Sequence, residues 1–105
     1  MTKIKKYRLL NNRIKIVYKD KVLNEDGDWI YGICKMNGSE TVIQVSTLDK
    51  DGNPMLEEDI ECTVRHELFH TILDSLYFSE LSSNETLVEW LASATHELNK
   101  QGLKI

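Results

Sequence analysis

The chain has little of several things, and each shortage narrows the field. It contains two cysteines, Cys34 and Cys62, far apart and without the even spacing of a disulfide framework. They read as reduced thiols of a cytoplasmic protein. No apolar run is long enough to span a bilayer, so no membrane partner is expected. The opening "MTKIKKYRLL" lacks the apolar core and small-residue cleavage site of a secretory signal. There is no internal repeat, low-complexity tract or linker, and 105 residues make one domain, 1–105. So short a chain buries a modest share of its surface, and a bound metal would add useful stability.

What is present divides by charge and by period. Residues 1–21 carry eight Lys/Arg against Asp20 alone, whereas the rest of the chain carries sixteen acids against five bases. The bases alternate with Ile4, Ile14, Ile16, Val17 and Tyr18, a pattern that reads as the solvated face of strands, and no nucleic-acid partner is expected. "KIKKYRLL" and "RIKIVYK" are strand-like runs separated by the turn-prone pair Asn11-Asn12. "EDGD" at 25–28 is a further turn, "WIYGICKM" is rich in aromatic and β-branched residues, and Asn37-Gly38 is a hairpin signal leading into "TVIQVST" at 41–47.

After the loop "LDKDGNP" the period changes. A helix is expected from about Leu56 to Asp74, with acids at its positive N-terminal end and Leu56, Ile60, Val64 and Leu68 along one buried face. "SELSSN" at 79–84 is a break. A second helix is expected from about Asn84 to Lys100, with Leu87, Leu91, Ala94 and Leu98 as its apolar stripe. Strands first and helices second give an α+β fold, a small antiparallel sheet followed by two helices.

"HELFH" at 66–70 carries the chemistry. On a helix His66 and His70 stand one turn apart on one face, so both imidazoles can reach one ion. Glu67, beside the first of them, can take the proton of a water that the ion activates. A catalytic zinc site needs a third protein ligand. Glu85 and Glu89 share a face of the second helix, so one can bind the metal while the other accepts a hydrogen bond from a ligand imidazole. Glu85 also stands at capping-box spacing from Ser82. With a short connection between the helices, Glu89 lies closer in level to His70 than Glu85 does. His96 suits either an oxyanion partner or an ordinary exposed histidine near a helix end. Tyr77 is a rival donor. Cys62, one turn before His66, suits a structural thiol or a metal ligand.

HExxH followed by Asn84-Glu85 and Glu89 resembles the gluzincin arrangement of thermolysin-like peptidases, and also the small phage and mobile-element peptidases related to the ImmA/IrrE group. The resemblance covers residues 62–92. It implies His66, His70 and Glu85 as zinc ligands and Glu67 as general base, with Glu89 orienting His66 where the family has Asp, one methylene shorter. The activity implied is zinc-dependent hydrolysis of a peptide or protein substrate. The strand at 41–47 would be the sheet edge that receives the substrate. The alternative is a non-catalytic, metal-stabilised interaction or regulatory module, for which Glu67 would be unnecessary. Neither the substrate nor the oligomeric state is written in the sequence.

Overall fold

The computed structural model describes residues 2–9, 12–75 and 79–105. Asn11 of the expected first turn and Tyr77 lie outside the described residues. The fold is α+β: among the described residues six strands, β1 (Lys3–Leu9), β2 (Asn12–Lys19), β3 (Val22–Leu23), β4 (Trp29–Ile30), β5 (Gly32–Asn37) and β6 (Glu40–Ser46), precede three helices. The helices are α1 (Glu57–Ser75), α2 (Ser79–Ser82) and α3 (Glu85–Lys100). Among the described residues no helix is long and apolar enough to cross a membrane.

The main sheet runs β1-β2-β6-β5, with β3 and β4 pairing separately. Two of its pairings are antiparallel, but β2 and β6 run parallel, with Ile16 opposite Ile43. The sheet is therefore mixed rather than purely antiparallel. The β5–β6 hairpin inserts its second strand next to β2, a long-range choice that local pattern does not record. It also moves 41–47 away from the edge expected for it. Ile43 and Val45 are fully buried, and a strand this apolar is best placed where both its edges are hydrogen-bonded. The outer strands are the lysine-rich β1 and, at the other side, β5. The hairpin turns at Gly38, whose φ of 63° suits glycine.

Alternation in the register assigns the faces. Ile14, Ile16, Ile43 and Val45 form the core, and Ile60, Val64 and Leu68 of α1 pack onto it. Leu56, expected on that stripe, stands before the helix and is 70% exposed, its carbonyl accepting from the amides of Asp59 and Ile60. The segment read as a break contains the one-turn helix α2. In α3 the buried residues are Val88, Ala92 and His96, not the expected leucine stripe; Ala94 and Leu98 are exposed, Leu87 and Leu91 half-buried. The helix presents its acids to α1, and the smaller Val88 and Ala92 allow the close approach that this requires.

Candidate metal centre

Both motif histidines sit on the face of α1 that meets α3, their rings 5.0 Å apart at 67°. Helical periodicity sets this, since a spacing of four brings successive imidazoles to one side. The start of α3 supplies the other wall. Asn84 caps the helix by accepting the amide of Leu87, which leaves Glu85 as its first residue and free to face the histidines. The capping box read for Ser82 and Glu85 does not form.

Glu85 reaches both rings. Its Oε2 lies 3.0 Å from His66 Nε2 and its Oε1 3.1 Å from His70 Nε2, while the two Nε2 atoms are 3.2 Å apart. The opposite ring nitrogens are tied down elsewhere. His66 Nδ1–H donates to Glu89 Oε2 at 2.8 Å, and His70 Nδ1–H donates to Ser82 Oγ at 3.2 Å. Ser82, buried in α2, in turn donates to the carbonyl of His70. With each Nδ1 held by a partner of its own, each ring turns its Nε2 toward the same point as the Glu85 carboxylate.

Two ring nitrogens and a carboxylate at these distances need a cation or a shared proton between them. Tetrahedral ligands about 2.0–2.1 Å from zinc stand roughly 3.3–3.4 Å apart. The observed 3.0–3.2 Å spacings come close to that, so His66, His70 and Glu85 fit such an ion. Glu89 falls outside this triangle, on the far nitrogen of His66.

Glu67 is buried at the floor of the same cleft, only 9% exposed. Burial pushes its carboxyl above the ordinary glutamate range; His66 and His70 pull it back, and Glu85 adds to the rise. Behind it, Thr71 donates to the Glu67 carbonyl at 3.1 Å, which leaves Cys34 Sγ–H to donate to Thr71 Oγ1 at 3.2 Å. This contact ties β5 to α1.

The cleft itself, about 870 Å³, opens between α1, α3 and β5. Gly32 sets how closely strand and helix approach. A Cβ there would come within 2.8 Å of the Gln44 carbonyl and of Thr63 Cγ2. Tyr31, Ile33 and Met36 line the strand side. The chain matches no family model, no curated protein and no solved structure in the comparisons made with each.

Of the other expected residues, Cys62 lines the cleft as a half-buried thiol that burial, with Asp59 and Glu58 beyond it, pushes above the ordinary range. His96 is neither exposed nor in the cleft: it is 7% exposed, and its Nε2 meets Glu58 Oε1 at 3.2 Å two turns along α3. Ser82 was the residue missed. Its role depends on α2 folding back over His70, and nothing in its local sequence announces that.

Proposed function

We propose that the cleft is the active site of a zinc-dependent peptidase. The observation carrying this reading is the convergence of His66 Nε2, His70 Nε2 and Glu85 on one point, with buried Glu67 beside it. His66, His70 and Glu85 would hold the ion, which when bound polarises a carbonyl and makes a water acidic. Glu89 and Ser82 keep the ring nitrogens of the two histidines turned inward. Glu67 takes the proton of the attacking water at its carboxylate and passes it to the leaving amine. Its burial supports this role, because a carboxylate whose pKa is raised is a stronger base. An extended substrate would pair with the outer edge of β5, its side chains against Tyr31, Ile33 and Met36. This is the role first expected of strand 41–47. The gluzincin likeness of residues 62–92 points the same way, and the reaction suits the ImmA/IrrE-type peptidases that this stretch resembles.

The rival reading is a metal staple with no chemistry. It draws on the position of the ligand set, which would clamp α3 to α1 in a chain with a small core. The two readings part at Glu67. In a peptide-library assay with zinc-loaded protein, wild type should release new N-termini, and Glu67→Gln should keep its zinc while losing at least about 100-fold in rate. Cleavage by the variant at the wild-type rate would remove Glu67 as the base; no cleavage by wild type would favour the staple.

A further inference from the structure

The metal cleft carries more acid than its ion site uses. Five carboxylates line it, those of Asp59, Glu67, Asp74, Glu85 and Glu89, and among the described residues no Lys or Arg does. Asp59 and Asp74 belong neither to the ligand triangle nor to its partners. Among the described residues no ion pair occupies either of them. Both stand on the stripe of α1 that carries His66 and His70, Asp59 seven residues before His66 and Asp74 four after His70. They therefore mark the two ends of the cleft, roughly 10 Å and 6 Å along the axis from the nearer histidine, too far to join the same ion. The helix dipole favours Asp59 near the start of α1, but it disfavours Asp74 in the last turn. Between them Glu67 is nine-tenths buried, and among the described residues nothing hydrogen-bonds its carboxyl. The thiol on the strand side feels this charge. Burial first, and then Glu67 and Asp74, push Cys34 above its ordinary range against the pull of Thr71.

The strand wall complements these acids. Gly32 abuts Thr63 and Cys34 meets Thr71, so β5 and α1 run in the same direction. Tyr31 thus falls toward the Asp59 end and Met36 toward the Asp74 end, and these cleft-lining side chains are 60% and 45% exposed. Each end offers an accessible apolar side chain and a carboxylate without a cation. That combination suits Lys and Arg, whose stems pack on apolar surface while the charged head reaches an acid. Tyr31 adds a ring face for the same cation. We propose that the cleft selects polypeptide segments with Lys or Arg on both sides of the bond at the metal, one held by Asp59 and Tyr31, the other by Asp74 and Met36. The two aspartates stand roughly 22 Å apart along α1, which an extended chain crosses in about seven residues. This selectivity rests on the peptidase reading of the cleft, which by itself names no side chain of the substrate.

The test uses two labelled peptides, identical except that one carries Lys and the other Gln about three residues to either side of the centre. Fluorescence anisotropy with the zinc-loaded Glu67→Gln chain, which should hold a peptide uncut, reads affinity without turnover. Two exposed charge pairs predict a preference for the Lys peptide of about 2- to 30-fold at low salt, shrinking as salt is raised. Asp59→Asn/Asp74→Asn in the same background should abolish the preference. It should leave both the zinc content by elemental analysis and the affinity for the Gln peptide unchanged. Equal affinity for the two peptides, binding of neither, or a preference that survives loss of both aspartates would overturn the proposal. Turnover of the same pair by the wild-type chain separates this selectivity from the peptidase reading. Cleavage of both peptides at one rate would keep the peptidase and remove the selectivity. Preferential binding of the Lys peptide with no cleavage would keep the selectivity and remove the peptidase.

Discussion

Helices α1 and α3 meet in two clusters of histidine and glutamate, and the two are built differently. At one end Glu58 accepts from Lys100 Nζ at 2.8 Å and lies 3.2 Å from His96 Nε2. A cation of the chain itself completes that group, and Lys100, first among the causes, holds the Glu58 carboxyl below its usual range. At the other end His66, His70, Glu85 and Glu89 bring two imidazoles and two carboxylates together, and among the described residues no Lys or Arg joins them. The same helix pair therefore closes one cluster with its own ammonium and leaves the other short of positive charge. The contrast argues that histidine and glutamate in proximity are not in themselves a metal site. On the proposed reading, the two would differ by the cation that the second lacks and by the fixing of each Nδ1 by a partner of its own.

Breaking the cation-poor cluster should have the largest effect. His66→Ala or His70→Ala removes a ligand, and zinc affinity in a calorimetric titration should fall by more than about 100-fold, beyond the range of losses seen for outer partners. The thermal stabilisation expected of zinc in the wild-type protein should disappear with it. Sharpening follows from the two glutamates. Glu85→Ala should weaken zinc binding more than Glu89→Ala or Ser82→Ala, which should each cost about 10- to 100-fold as partners of the ring nitrogens. The reverse order for the glutamates would move the ligand to Glu89.

The smallest effect belongs to the self-completed end. Glu58→Gln should leave zinc affinity unchanged and lower the melting temperature only slightly, because the pair is exposed and screened. Its pH dependence has a definite sign. The folded-state carboxyl is depressed, so the contribution is present above the ordinary glutamate range and lost as pH falls through the folded value. Melting curves of wild type and Glu58→Gln should thus converge in acid and separate toward neutrality. A difference that persisted unchanged in acid would assign the effect to something other than this ion pair.

The histidine end was legible in the sequence because its key relation is local. A spacing of four on a helix fixes where His66 and His70 point, whatever surrounds them. The choice between Glu85 and Glu89 was not fixed in this way, because it depends on how the chain returns between the helices. In α3 the eye follows leucines, and Leu87, Leu91, Ala94 and Leu98 make the more conspicuous stripe. The helix instead buries Val88, Ala92 and His96, the face that also carries Glu85 and Glu89. Similarly, β-propensity located the strand at 41–47 but carries no information on strand order, so the most strand-like run was assigned to an edge although β6 lies between two partners. His96 looked like a companion of the site because seven residues separate it from Glu89. Those two turns bring it to Glu58 instead, about 10 Å farther along the axis.

The central claim is that three acceptors converge because a cation belongs between them. Its most direct test is zinc uptake by the wild-type chain, with metal content by elemental analysis and stability by thermal melting before and after loading. The account predicts about one zinc per chain and a melting temperature that rises with free zinc. Protein that takes up no zinc and melts at the same temperature with and without it would contradict the account.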